Sequence, residues 1–270
     1  MTGRITRLSR RTLLTDFGVA GIGLIVLGAC GGSSGSGDAP PSSASIDVEP
    51  TDPVATDLVS TDAAAPGEMS PDTASGVLQL QHVSLGFVSA YVLVRGGEAA
   101  IVDTGQSGSR DAIFEGLDAM SVAPSAVRYI VLTHNHGDHV GGLSDMETDL
   151  VNATVYAGAA DIGSIRSSLT LAELNDGDEV FGMGVVGTPG HTPGSISLFD
   201  TGSGILVAGD AINGDGSGGI TGANPDFSSD LDAAAASVAK LAALSPTTAA
   251  FGHGGPPVTD DAAAKLAALV

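Results

Sequence analysis

Residues 133–139 read Thr-His-Asn-His-Gly-Asp-His, and that run restricts what the rest of the chain can be. Three imidazoles and a carboxylate fall within six positions, directly after Tyr129–Leu132, whose apolar letters read as a short buried strand. A hydrophobic core has no use for such a cluster, because every polar group taken out of water needs a partner. Neutral imidazole nitrogen and carboxylate oxygen are good donors to zinc, iron or manganese, and this spacing in a tight loop presents them to two adjacent ions. His134 and His136 then face one ion, and Asp138 and His139 the other.

Three more donors stand just beyond apolar runs. His191 lies in Thr188-Pro189-Gly190-His191-Thr192-Pro193-Gly194, where proline fixes the backbone and glycine lets it come close to a buried group. Asp210 ends the run Ile205–Gly209, and His253 follows Thr248–Phe251 inside Gly252-His253-Gly254-Gly255. Each alone reads equally well as a turn or loop residue. Their common place beyond a strand end marks them as site candidates, and His82, which lacks it, reads as structural.

The surrounding pattern supplies the strands. Val77–Val83, Phe87–Val94 and Ala99–Val102 are β-branched and apolar, with Arg95-Gly96-Gly97-Glu98 as a hairpin turn. Ser109–Met120 puts Ile113, Phe114, Leu117 and Met120 on one helical face. In the second half, strands are expected at Thr154–Tyr156, Glu179–Gly187, Ser195–Phe199 and Ile205–Ala208, then a helix from Ser229 to Leu244. A strand at Thr248–Phe251 and a helix at Asp260–Leu269, capped by Asp260 or Thr259, complete the chain. Two β-then-α halves predict an α+β domain over residues 77–270, its two sheets face to face with helices outside. The glycine-rich stretch 212–220, just after Asp210, reads as a wall or lid over the site or as a plain flexible connection.

In this order, T-H-N-H-G-D-H, G-H-T-P-G, G-D and G-H resemble the metallo-β-lactamase superfamily over essentially residues 77–270. The resemblance implies a four-layer αββα sandwich with the metals at the edge between the sheets. It implies that His134, His136 and His191 hold one ion, that Asp138, His139 and His253 hold the second, and that Asp210 bridges them. Asp103, in Ile101-Val102-Asp103-Thr104-Gly105, matches an acidic position that orients ligands from behind, and it also reads as a turn residue. Two divalent ions are implied, zinc before manganese or iron.

Seven shared ligands leave coordination open for a bridging water and for substrate. The expected chemistry is attack of a metal-bound hydroxide on an ester, lactone, thioester or amide carbonyl. Asp138 and Asp210 are the catalytic carboxylates of that reading, Asp138 also relaying a proton to the leaving group. The best-known zinc β-lactamases use a cysteine ligand, which this domain lacks, so the ligand set looks more like the glyoxalase II and lactonase branches. Little chain follows His253 to hold glutathione, and Tyr91, Tyr129 and Tyr156 are not where acyl-homoserine lactonases place a tyrosine. Arg166 is the one cation to consider for an anionic substrate. Two other readings stay open: a mononuclear iron dioxygenase acting on persulfides, and an extracytoplasmic metal- or solute-binding lipoprotein without turnover.

The first residues set the expected location. Arg4, Arg7, Arg10 and Arg11 precede an apolar stretch, 17–27, too short for a membrane span. Ser9-Arg10-Arg11-Thr12-Leu13-Leu14 resembles a twin-arginine export motif, and Leu27-Gly28-Ala29-Cys30 resembles a lipobox. The chain is therefore expected to lose residues 1–29 as a signal peptide and to be lipidated at Cys30, its single cysteine. It would be anchored outside the bacterial cytoplasmic membrane or in the cell envelope. Residues 30–76 form an acidic linker of small polar residues that cannot bury enough to order itself. A formal charge of −21 disfavours nucleic acid and leaves lipid alone to hold the membrane. The expected partner is a small-molecule substrate.

Overall fold

A computed structural model describes residues 76–270. The expected export leader, Cys30 and the expected linker ahead of Gly76 lie outside the described residues, among which no helix is long and apolar enough to cross a membrane.

The first sheet takes its strands in sequence order: β1 (Gln79–Leu85), β2 (Val88–Arg95), β3 (Glu98–Val102), β4 (Val127–Leu132), β5 (Thr154–Gly158) and β6 (Leu171–Leu174). Its first three strands run antiparallel, and β3 to β6 run parallel. The parallel part needs crossovers, which α1 (Arg110–Ala119), α2 (Gly137–Val140) and α3 (Ala159–Ile162) help to supply.

The second sheet comprises β7 (Glu179–Val180), β8 (Met183–Gly187), β9 (Ile196–Asp200) and β10 (Ile205–Val207). Between β10 and its parallel neighbour β13 (Thr248–Ala250), the chain inserts β11 (Ile212–Gly214), β12 (Ile220–Gly222) and α4 (Leu231–Ala243). The last helix, α5 (Ala262–Ala267), follows β13.

Period-two alternation sorts the strand residues into layers. Ala90, Val92, Ile101, Ile130 and Leu132 pack with Ile113 and Leu117 of α1 on the outer face of the first sheet. Their neighbours Tyr91, Leu93, Val102 and Val131 turn the other way and meet Val185, Leu198 and Val207 of the second sheet. Leu206 and Ala249 face outward against Val238 and Leu241 of α4 and Leu266 of α5. Helix, sheet, sheet, helix is the expected α+β sandwich. Buried Arg95, at the end of β2 remote from Val88, reaches across the inter-sheet core to Asp200 of β9 and to the Phe181 and Gly182 carbonyls.

Four local expectations need correction. The single strand expected at Glu179–Gly187 is a hairpin, β7 and β8, because Phe181 (φ 52°) and Gly182 (φ 68°) form a two-residue left-handed turn. Strand β6 has no counterpart among the expected strands, since Leu171-Ala172-Glu173-Leu174 carries no β-branched residue. Helix α5 starts after Asp261, which sits at φ 55° without a side-chain cap, so neither Asp260 nor Thr259 caps it. The stretch 212–220 is not a plain flexible connection. It is the antiparallel ribbon β11–β12, its tip closed by the Asp215 carboxylate accepting from Ser217 N and Gly219 N.

Candidate metal centre

All seven candidate ligands converge where the ends of β4, β10 and β13 meet the loop after β8. Chain direction explains this: parallel neighbours deliver the residues that follow them to the same edge. His134 and His136 leave β4, and α2 begins immediately, its first turn presenting Asp138 and His139. Asp210 follows β10, and His253 follows β13. Gly190, at φ 129°, lets the His191 loop lie against α4, where any Cβ would meet the Ala234 nitrogen at 2.2 Å.

The donor atoms approach closely. His191 Nε2 is 2.9 Å from His136 Nδ1, and His139 Nε2 is 3.3 Å from His253 Nε2. The Asp210 carboxylate touches both groups, 3.4 Å from His191 Nε2, 3.4 Å from His139 Nε2 and 3.2 Å from His253 Nε2. Asp138 stands 3.3 Å from His253 Nε2. Three overlapping triads result: His134, His136 and His191; His134, His139 and Asp210; Asp138, His139 and His253.

Groups behind these donors fix their direction. Asp103 accepts from Thr133 N at 2.7 Å and Thr133 Oγ1 at 2.8 Å, and its other contact is His139 Nδ1 at 2.8 Å. A proton held on Nδ1 leaves the His139 Nε2 lone pair aimed into the cluster. His253 Nδ1 donates likewise to the Phe87 carbonyl at 2.8 Å. The expectation that His82 is structural agrees with its contact to Ser89 Oγ at 2.9 Å, away from the cluster.

Two positioning residues are absent from the sequence-based candidates. Fully buried Asp161 accepts from Asn135 N, Thr192 Oγ1 and Gly194 N, joining the His136 loop to the His191 loop. It stands three residues past β5, so the strand-end rule that marks Asp210 could have found it. Tyr91 donates to the Phe251 carbonyl at 2.7 Å and accepts from Phe251 N at 3.1 Å, tying the first sheet to the segment that ends in His253. Nothing in its position signals that. Arg166 does not line the cavity over the cluster; it borders a separate one of about 880 Å³ beside Glu147 and Ser168.

A family model described as the metallo-beta-lactamase superfamily matches residues 83–253. The chain belongs to the metallo-β-lactamase superfamily. Among similar proteins, the uncharacterized protein YobT of Bacillus subtilis is 28% identical over 62% of this chain and 83% of its own length. A hydroxyacylglutathione hydrolase of Anaeromyxobacter dehalogenans is 36% identical over 45% of each chain, so this chain spans less than half of that enzyme. A metallo-beta-lactamase family protein of Thermus thermophilus superposes with a TM-score of 0.57 at 24% identity, covering 71% of this chain and 77% of its own. The protein TTHA1623, solved in a di-iron-bound form, gives 0.55 at 24% identity, covering 67% and 94%. These superpositions establish the shared fold.

Divalent metal binding is a property of this superfamily, and the donor spacing here fits it. Bonds of about 2.1 Å around a tetrahedral ion separate its ligands by roughly 3.4 Å. The Asp210, Asp138 and His253 contacts of 3.2 to 3.4 Å are of that length. His134 Nε2 and Asp210 Oδ1 are buried without a hydrogen-bond partner, which a cation between them would supply. Zinc and iron suit the set equally, because imidazole and carboxylate accept both.

Without a cation the cluster divides its protons unevenly. Burial pushes His134 well below its ordinary value, and burial chiefly holds His191 at about 4. Hydrogen bonds to Asp138 and Asp210 lift His253 to about 10 against its burial. His139 is also raised: burial is the largest single effect and opposes its charge, but the Asp103, Asp210 and Asp138 carboxylates together outweigh it. The hydrogen bond to His253 holds Asp138 at about 2.

Protons and cations therefore compete for His253. It must lose its proton to bind a cation, so loading at pH 8 is expected to release at least one proton, and apparent affinity should climb until about pH 10. In the metal-free protein the same raised value stabilises the fold fully below the ordinary value of 6.5, and that stabilisation is lost as pH rises through about 10. Zinc titration calorimetry in buffers of different ionisation enthalpy measures the release; zero protons at pH 8 would contradict it.

Proposed function

We propose that the chain is a metal-dependent hydrolase of neutral carbonyl substrates: esters, lactones, thioesters or amides. The observation that carries this reading is the Asp210 carboxylate in contact with donors of both groups. We assign His134, His136 and His191 to one cation, Asp138, His139 and His253 to the other, and Asp210 to both. Two divalent cations held there, zinc or iron, would supply a Lewis acid and would lower the pKa of a bound water to about 7.

The protein's own part is orientation and proton handling. Asp103 and the Phe87 carbonyl hold His139 and His253 in the tautomers that turn Nε2 inward. Asp138, part-buried beside the cavity, is placed to accept a proton and pass it to a departing alcohol, thiol or amine. The likeness to hydroxyacylglutathione hydrolases supports the hydrolase class, while the absence of any lining Lys or Arg among the described residues argues against a glutathione thioester as substrate.

Purified protein loaded with zinc, and separately with iron, is expected to turn over at least one member of an ester, lactone, thioester and β-lactam panel and to lose that activity on chelation. Two tightly held ions with no turnover would favour a binding lipoprotein. One iron per chain with oxygen uptake would favour a dioxygenase. Export and lipid anchoring through Cys30 belong to the same proposal. Cys30→Ala should move the chain from the membrane fraction to the soluble one, and unchanged fractionation would end that part.

A further inference from the structure

The cavity over the cluster holds about 910 Å³, within the range of small-molecule sites. Its lining is chemically one-sided. Among the described residues, the only ionisable side chains on it are the cluster's own His136, Asp138, His191, Asp210 and His253, and neither Lys nor Arg reaches it. Beyond the cluster and the cations proposed for it, an anionic group on a substrate's chain would find no cationic side chain to pair with along this cavity, on a protein whose formal charge is −21.

Two phenylalanines complete the wall. Phe87 and Phe227 are 60% and 67% exposed, the only exposed phenylalanines among the described residues, and both line this cavity. Neither is a loose surface residue. Phe87 follows the turn at Gly86, its carbonyl accepts from His253, and its ring stacks on the His253 ring at 5.8 Å and 5°. Phe227 sits in a turn built on the Asn224 carbonyl, which accepts from Phe227 N at 3.2 Å and Ser228 Oγ at 2.7 Å. Two residues on, Ser229 N donates to the His191 carbonyl. Each ring therefore rides on backbone bonded to a candidate ligand histidine. Fixed apolar surface left in water beside a reactive centre marks a place that a ligand covers.

Resting on the hydrolase reading, the geometry points to a neutral substrate whose acyl chain is apolar and is covered by Phe87 and Phe227, its carbonyl lying toward Asp210. Each methylene that leaves water improves binding by up to about fourfold. Selectivity should therefore grow with acyl length and collapse when the chain ends in a carboxylate.

The test uses the full-length, zinc-loaded protein on 4-nitrophenyl acetate, butyrate, hexanoate and octanoate, with the 4-nitrophenyl monoester of adipic acid as the charged counterpart of the hexanoate. The expected kcat/KM rises about two- to fourfold per methylene, with the adipate ester at least about tenfold below the hexanoate. Phe227→Ala should flatten the length dependence, and Phe227→Leu should restore part of it. Calorimetric titration with 2-octanone, which cannot be hydrolysed, should show saturable binding with a negative heat-capacity change that Phe227→Ala weakens. Turnover with flat length dependence, or equal rates for hexanoate and adipate esters, overturns the apolar site while the hydrolase reading stands. Binding of 2-octanone without turnover of any of these esters or of any member of the lactone, thioester and β-lactam panel overturns the hydrolase reading and leaves the apolar site standing. Neither binding nor turnover overturns both.

Discussion

Alanine at Asp210 is expected to leave zinc-treated protein with at most one ion per chain and to lower hydrolysis at least about a hundredfold, the upper end of what losing even an outer partner of a metal ligand costs. Asp210 is the one carboxylate in contact with imidazoles of both groups, so its removal unlinks the triads as well as deleting a donor. Burial alone would raise its pKa, yet the His253 hydrogen bond and the flanking imidazoles carry it below the ordinary value, so it is charged at neutral pH. Asp210→Asn keeps the volume and an oxygen but not the charge, and it should retain more metal than alanine and less than wild type. Elemental analysis beside circular dichroism separates ion loss from unfolding. Two ions and full turnover in the alanine variant would remove Asp210 from the proposal.

The cluster is legible in the sequence because its chemistry is written in residue identity and its assembly in strand ends. His134, Asp210 and His253 each follow an apolar run that forms a strand, and parallel pairing of β10 with β13 brings two of those ends side by side. Asp103 is also legible, as an acid after β3, although its grip on both Thr133 and His139 is not. What the letters hide depends on distant partners. Tyr91 and Phe251 are 160 residues apart, and no local pattern announces a hydrogen bond over that separation. Phe181 adopts a left-handed conformation that its type disfavours, which conceals the β7–β8 hairpin, and β6 is set by its neighbour β5 more than by its own propensity. Arg166, the cation considered from the sequence for an anionic substrate, is turned by the fold to another cavity.

Gly252 gives the second large expected effect, invisible in the sequence because a glycine beside a histidine looks like any loop glycine. A Cβ there would fall 1.9 Å from Asp210 Oδ1 and 2.6 Å from His139 Cε1, inside the cluster itself. The backbone cannot retreat easily, since Gly252 N donates to the Gly209 carbonyl at 2.9 Å and the Gly252 carbonyl accepts from Ser89 N at 2.8 Å. Asp210 cannot retreat either, because Gly209 beside it holds φ 53° with Thr133 packed where its own Cβ would be. Gly252→Ala is therefore expected to push His139 or Asp210 out of line and lose one ion, at an overpacking cost of about 1–3 kcal/mol. Gly163→Ala, which meets nothing within 4 Å, is the matched control and should keep both ions. Metal content and denaturant unfolding of the two variants decide it: a Gly252→Ala protein with two ions and unchanged stability would mean that the ligands are not packed as tightly as these contacts require.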